Sequence, residues 1–441
     1  RVTDTPRRTK IVCTIGPATA SPEKVRALME AGMNVARLNF SHGNHEGHGN
    51  MLESLRKISA ERGKEIGVLQ DLGGPKIRLG ELPTPERLLE PGERVVLRAM
   101  SSKDPSEIPV NYPYLVEDLS VGDRILLADG QVLLKAEAKA ADHILCEVLV
   151  GGVIHSHKGV NLPSTPLRAP AFTEKDRKDL AFGLKAGVDF VALSFVRHEK
   201  DLEPVKEIFS KVDTRPLLIA KIEKPQAVDR LEQILAQVDG VMVARGDLGV
   251  EMPLEEVPLI QKRIIRMARA AGKPVITATQ MLRSMIDSPR PTRAEAADVA
   301  NAILDGTDAL MLSEETAIGG YPAAAVKIMD RIARATEQHL HSSAFFSEVI
   351  SKTLPMSASA IGRSACFLAQ DLHASAIVAA TSSGSTARMV AQFRPACPIL
   401  GLTPHRATER QLSLSWGIEP ALVEPFADTD EIFDLARSWA L

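Results

Sequence analysis

The chain reads as an α/β protein: a (β/α)8 TIM barrel with an inserted small antiparallel β-barrel lid and a separate C-terminal α/β unit. Three observations lead there. Short apolar runs alternate with helix-period segments on both sides of a stretch that lacks long helical periods. Three runs precede that stretch and five follow it, which makes eight. Residues 9 to 313, less about 95 for the insert, leave about 210, a length that suits such a barrel.

TKIVCTIG (9–16) is the first candidate strand. SPEKVRALMEAGM follows as a helix, with Ser21 as N-cap, Pro22 in the first turn and Gly32 near the C-cap. VARLNF (35–40) is the second run and leads into NFSHG; IGVLQDL (66–72) is the third and ends at Asp71 before Gly73, Gly74 and Pro75. From about 76 to 170 the pattern changes to strand pairs closed by turn dipeptides. Asp129–Gly130 lies between DRILLA and QVLLK, and Gly151–Gly152 between HILCEVLV and VIHSHKGV. Proline-rich flanks at 83–85 and 162–170 suit a hinge for a moving lid.

The alternation resumes with a helix capped by Thr173, then FVALSF (190–195), PLLIAKI (216–222), GVMVARGD (240–247), PVITAT (274–279) and DALMLS (308–313). A helix over 321–340 with Pro322 in its first turn and the linker HSSAFFSEVISKTLP follow. The last unit reads as helix 356–372, strand ASAIVAAT, helix Gly384–Phe393, strand PILGLT, helix 405–416, the segment EPALVE and helix 428–441. The expected division is a catalytic barrel over 1–75 and 171–340, a lid over 76–170 and a regulatory unit over 341–441. That unit is expected to be incomplete because the chain stops in a helix, and the start at Arg1 points to a few missing leading residues.

Composition narrows the function. A net charge of -3 and 4% aromatic residues make no case for nucleic acid or an anionic membrane as a partner. Cys13, Cys146, Cys366 and Cys397 lie far apart without a CxxC pair, as in a reducing compartment. The basic start carries no apolar signal core and no apolar run approaches membrane-spanning length, so the cytoplasm is expected.

The organising stretch is Ala220–Glu251. Lys221 and Glu223 leave one apolar run; Arg245, Gly246 and Asp247 leave the next. If both runs are parallel strands, a cation and two carboxylates reach one rim of one sheet. Two such carboxylates suit a hard divalent cation, and a lysine beside it can neutralise a phosphoryl group. Any one of these charges could be a solvated strand end, but four crowded at two buried termini need a functional reason. The other run ends carry Arg37, Asn39, Ser41, Asp71, Ser194, Thr279, Gln280, Ser313 and Glu314, and in such barrels the chemistry sits at the C-terminal strand ends. In the last unit the loop Thr381, Ser382, Ser383, Gly384, Ser385, Thr386 leaves a strand and opens a helix. Its backbone N–H groups and hydroxyls could hold a phosphate, although a purely structural loop fits equally well.

The motifs TKIVCTIGPA, VARLNFSHG, LQDLGGPKIR, KGVNLP (158–163), AKIEK, VMVARGDLGVE, TATQML and LSEETA occur together over essentially the full length, and the chain thereby resembles the pyruvate kinases. The resemblance implies a glycolytic phosphotransferase that moves the phosphoryl group of phosphoenolpyruvate to ADP, giving pyruvate and ATP. It further implies that Glu223 and Asp247 coordinate Mg²⁺ or Mn²⁺, that Lys221 stabilises the phosphoryl group in transit, and that Arg37 clamps it. Gly246 and Asp247 would offer backbone N–H groups to the substrate carboxylate beside Thr279. Thr279 and Ser313 would belong to the relay that protonates the enolate, and Asn39, His42, Arg78 and Lys158 would face the nucleotide. Potassium-requiring members use the equivalents of Asn39, Ser41 and Asp71, a threonine next, and a glutamate four positions beyond it. Here those last two positions hold Leu72 and Lys76, so an ammonium stands where potassium would be served and potassium-independent catalysis is expected. The alternative is a solvated hinge lysine with potassium still bound by the remaining oxygens. A homotetramer, and a sugar-phosphate or nucleotide effector on the Thr381–Thr386 loop, are also implied. Two other readings are a metal-dependent barrel lyase acting through pyruvate enolate and a catalytically silent metabolite-binding scaffold.

Overall fold

The structure is a computed structural model and describes residues 6–128, 130–163, 165–340, 356–425 and 429–440. The expected linker at 341–355 and Asp129 of the first turn dipeptide lie outside the described residues.

Strands β1 (Lys10–Thr14), β2 (Val35–Asn39) and β3 (Gly67–Asp71) precede the insert. The insert contains β4 (Glu86–Leu89), β5 (Arg94–Ala99), β6 (Ile108–Val110), β7 (Arg124–Leu127), β8 (Val132–Lys139), β9 (His143–Val150), β10 (Gly152–His155) and β11 (Val160–Asn161). After it come β12 (Phe190–Leu193), β13 (Leu217–Ile222), β14 (Gly240–Ala244), β15 (Val275–Ala278) and β16 (Ala309–Leu312). Together β1–β3 and β12–β16 form a closed parallel barrel in the order β1-β16-β15-β14-β13-β12-β3-β2. Because β3 pairs directly with β12, Leu69 against Phe190, the ring closes across the insertion and the insert rises from the C-terminal rim.

Strand alternation sorts the core into two layers. Val12, Val35, Leu69, Phe190, Ile219, Met242, Ile276 and Met311 fill the barrel interior, while Ile11, Cys13, Val191, Val241 and Leu310 face the surrounding helices. Helix starts follow their capping residues: Ser21 accepts from the Lys24 N–H, and Thr173 with Asp176 forms a reciprocal box. The other oxygen of Asp176 accepts the Gly74 N–H at 3.1 Å, which ties the start of the insert to the barrel helix that follows it.

The insert is a curled six-stranded sheet, β11-β7-β8-β9-β5-β6, antiparallel except between β5 and β6. Its two free edges meet through the segment Ile77–Gly80: Arg78 bridges Gly159, Leu79 bridges Val110, and the Leu79 N–H donates to the Lys158 carbonyl at 2.8 Å. The ring therefore closes through the residues that carry Arg78 and Lys158. The Gly151–Gly152 hairpin expected from the sequence does not form. β10 leaves β9 and pairs instead with β4, and a Cβ at Gly151 would meet the Leu89 carbonyl at 2.4 Å, so glycine is required by that close passage.

In the C-terminal unit β17 (Ile377–Ala380), β18 (Ile399–Thr403) and β19 (Ile418–Leu422) form a parallel sheet. The segment read as EPALVE is thus a strand. The preceding helix ends at Leu412, short of the expected 416, because the next residues turn into the barrel floor. Leu414 joins the barrel-interior core, the Trp416 N–H donates to Asp308 at 3.0 Å, and Lys10 donates to the Ile418 carbonyl at 2.8 Å. The barrel is plugged from below by the unit that follows it.

Candidate active site

Lys221 and Glu223 emerge from β13, Asp71 ends β3, Arg37 lies on β2, and Asp247 sits in the first turn of the helix Arg245–Glu251 after β14. Their convergence follows from the parallel ring, which delivers all these strand ends to one rim. The Lys221 ammonium is 2.9 Å from Glu223 Oε1 and 3.2 Å from Asp71 Oδ1, and it donates to Ser194 Oγ at 2.8 Å. Arg37 grips Asp71 Oδ2 through Nε at 2.8 Å and through a second nitrogen at 2.7 Å, and donates to Thr14 Oγ1 at 2.9 Å. Glu223 is wholly buried, and its Oε2 accepts the Phe195 N–H at 2.7 Å.

The electrostatics of this group are settled by competition. Burial alone would depress Lys221, but Asp71 and Glu223 outweigh it and hold the ammonium above its ordinary range. Burial would raise Asp71, and Lys221 with Arg37 reverses that. Glu223 goes the other way: burial pushes it up, Asp247 adds to the push, and Lys221 only partly opposes. Its Oε1 touches Lys221 as an ion pair without an aligned hydrogen bond. A dehydrated carboxylate with lone pairs to spare, repelled by a second carboxylate, is a donor pair suited to a hard cation. Among the described residues no set of three or more His, Cys, Asp or Glu converges, so the pair leaves positions for oxygens from elsewhere.

Arg245 does not join the cluster, contrary to the sequence expectation. It opens a helix, and its side chain sweeps back to Asp298 at 2.7 Å and to the carbonyls of Ala278 and Thr279 at 3.1 and 2.7 Å. Its contacts are structural and still bear on the site. Thr279 has φ +76, a costly conformation for a β-branched residue, and Arg245 holds its carbonyl. Gly246 allows the helix to lie against Thr279, since a Cβ there would stand 2.7 Å from the threonine methyl. Ser313 directly follows β16, its N–H donating to Glu315 at 2.8 Å.

Between barrel and insert lies a cleft of about 480 Å³ whose lining includes His42, Lys76, Arg78, Lys158 and Asp247. Asp247 belongs to both the cleft and the acidic pair. His42 is held below its ordinary range by burial and by Lys76, Arg78 and Arg37. Lys76 is exposed by area, yet its ammonium is lowered by partial burial and by Lys221 and Arg78. Lys76 is thus a cation on the wall of the cleft. Asn39 Oδ1 accepts the Ser41 N–H at 3.1 Å, while Leu72 is buried in the outer core and its carbonyl accepts from Ser194 at 2.7 Å. The Leu72 side chain contributes no oxygen.

In the C-terminal unit Gly384 takes φ +81, and its N–H donates to Thr381 Oγ1 at 2.9 Å. Ser382, Ser383, Ser385 and Thr386 are exposed around that turn, and Arg388 donates to the Ser383 carbonyl at 2.8 Å. Residues the sequence reading left unused are Thr14, which anchors Arg37, and the buried pair Lys224 and Glu251 with the half-buried Asn161. Lys224 lies 2.5 Å from Glu251 Oε1, and Asn161 donates to the same oxygen at 3.0 Å. All three lie inside or beside the quoted motifs, which was the only available signal.

A closed barrel with a half-buried lysine between buried carboxylates at its C-terminal rim, facing a basic cleft under an inserted sheet, defines an enzyme for anionic, phosphorylated substrates. The pyruvate kinase barrel-domain model matches residues 6–326 and the pyruvate kinase alpha/beta-domain model residues 359–441. Pyruvate kinase of Geobacillus stearothermophilus is 48% identical over 435 residues, 98% of this chain and 74% of that protein. The pyruvate kinase of Mycobacterium tuberculosis (strain ATCC 25618 / H37Rv) is 48% identical over 425 residues, 96% of this chain and 89% of that protein. A crystal structure of a pyruvate kinase from Cryptosporidium parvum superposes with a TM-score of 0.94 at 36% identity, covering 98% of this chain and 90% of that one. The chain belongs to the pyruvate kinase family. It transfers the phosphoryl group of phosphoenolpyruvate to ADP in glycolysis, and the lyase and scaffold readings find no support. The family generally works with a divalent metal ion. No described helix is long and apolar enough to cross a membrane.

Proposed function

We propose that Glu223 and Asp247 hold the divalent ion, Mg²⁺ or Mn²⁺, and that Lys221 is the principal catalytic cation. The observation that carries this reading is Lys221 itself, kept charged between two buried carboxylates at the barrel mouth. When bound, the metal supplies charge neutralisation for substrate oxygens. Lys221 faces the phosphoryl group as its charge spreads in transit, and Arg37, pre-set by Asp71 and Thr14, offers it a planar donor fork. Gly246 and Asp247 present backbone N–H groups to the substrate carboxylate, with the Thr279 hydroxyl beside them. Thr279 and Ser313 act in proton delivery to the enolate carbon.

Asn39, His42, Arg78 and Lys158 take the nucleotide, and the insert over 76–170 works as a lid on the barrel of 1–75 and 171–340. Because Arg78 and Lys158 lie at the seam that closes the insert, its movement carries both onto the ADP phosphates and expels water. Lys76 supplies the positive charge that potassium brings elsewhere, so Asn39, Ser41, Asp71 and Leu72 need not hold an ion. The unit from 341 onward is regulatory, with Thr381–Thr386 receiving the phosphate of a sugar phosphate or nucleotide, in a cytoplasmic homotetramer. Steady-state kinetics with phosphoenolpyruvate, ADP and Mg²⁺, with and without sugar phosphates and AMP, test the whole scheme. Activity unaffected by Lys221→Met would overturn it.

A further inference from the structure

On the floor of the barrel, remote from the catalytic rim, a void of about 10 Å³ lies between Arg269 and Lys273 before β15, Asp308 at the entry to β16, and Arg388, Gln392, Arg394 and Ser415 of the C-terminal unit. That is room for one water-sized particle. We propose that it is a binding site for a single halide-sized anion, chloride in a cell, that neutralises the joint between the two units.

Asp308 is already committed: Oδ1 accepts the Trp416 N–H at 3.0 Å, and Oδ2 accepts the Val275 N–H at 3.1 Å and lies 3.2 Å from Arg394. Asp239, the carboxylate that Arg388 senses, is gripped by Arg215 at 2.6 Å and by the Leu218 N–H at 2.8 Å. Lys273 spends its ammonium on the Leu235 and Val238 carbonyls. What remains around the void is mostly donors. Arg388 has one terminal nitrogen without a partner, Arg394 has its Nε, and Gln392 has both amide atoms, the last two residues being 3% and 2% exposed. Ser415, 1% exposed, has its hydroxyl in the same condition.

Arg269, Lys273, Arg388 and Arg394 thus surround the void with four cations against the one carboxylate of Asp308, beside the Gln392 amide and the Ser415 hydroxyl. A water there could accept hydrogen bonds but would leave the excess positive charge uncompensated. An anion accepts from the same donors and offsets that charge. Arginine does not shed its proton in a protein, so the half-buried guanidinium of Arg388, whose affinity for its proton burial already lowers, must be neutralised where it stands. The small volume selects against phosphate, sugar phosphates and nucleotides. Because Arg388 also holds the Ser383 carbonyl, the anion would brace the strand-to-helix loop against the barrel floor.

The test uses the full chain. Crystals soaked in bromide should show an anomalous peak in the void. Thermal unfolding at constant ionic strength should give a saturable rise of about 2 °C when chloride replaces glutamate, an anion too large to enter. Gln392→Leu, which removes no charge, should shrink that rise, with turnover under saturating substrates unchanged. A water without anomalous signal in the bromide-soaked crystals, or equal stabilisation by chloride, phosphate and glutamate, would overturn the proposal.

Discussion

Asn161, on the last strand of the insert, donates to the same Glu251 oxygen that Lys224 contacts at 2.5 Å, and both ends of the ion pair are buried. Lys224 follows Glu223 directly, and Glu251 ends the helix that Arg245 opens and that carries Gly246 and Asp247 in its first turn. One carboxylate therefore joins the insert to both halves of the acidic pair.

Removing the insert's share should weaken nucleotide capture with little effect on stability. Asn161→Ala is expected to raise the KM for ADP about fivefold, the worth of one hydrogen bond to a charged group, with the melting temperature nearly unchanged. Glu251→Gln leaves the Lys224 charge buried and should cost about 3 kcal/mol of stability, measured by denaturant unfolding. Equal behaviour of the two variants would mean that the Asn161–Glu251 bond has no separate role in nucleotide capture.

Lys221→Met should lower kcat roughly 10³-fold, as expected when a cation aimed at developing charge is lost. Titration with Mn²⁺ followed by proton relaxation should still show binding, because Glu223 and Asp247 remain. Loss of metal binding with intact turnover would reverse the roles assigned to these residues.

The pH dependence follows from opposite shifts. The folded pKa of Glu223 lies above its unfolded value, so the folded state holds the extra proton in that window, and the metal-free protein loses stability as pH rises through it. Asp71 is shifted down, so its contribution is present above the ordinary aspartate range and is lost as pH falls through the lowered value. If Glu223 holds the metal as proposed, binding displaces its proton. The expected outcome is Mn²⁺ affinity that falls as the medium is acidified toward the raised Glu223 value, and a Glu223→Gln variant that loses this dependence. An affinity flat across the acidic range in the parent would remove Glu223 from the metal site.

Lys76→Glu should convert the enzyme to potassium dependence. In potassium-free buffer balanced with tetramethylammonium, the parent is expected to retain its turnover and the variant to lose most of it until potassium is added. A parent that stalls in that buffer means that the lysine does not stand in for the ion.

Much of the barrel was legible because strand and helix periods are local: apolar runs of four to six residues and caps such as Ser21 and Thr173 depend only on neighbours in sequence. The polar strand ends Arg37, Asp71, Lys221 and Glu223 were legible for the same reason, since a parallel ring sends every C-terminal end to one rim. Only the tertiary structure decided where those side chains turn. It sent Arg245 outward to Asp298, gave β10 to β4 instead of β9, closed the insert through Ile77–Gly80, and drove Leu414 into the barrel floor. Each of those outcomes rests on groups far apart in sequence competing for one buried partner, and a local pattern carries no information about which of them wins.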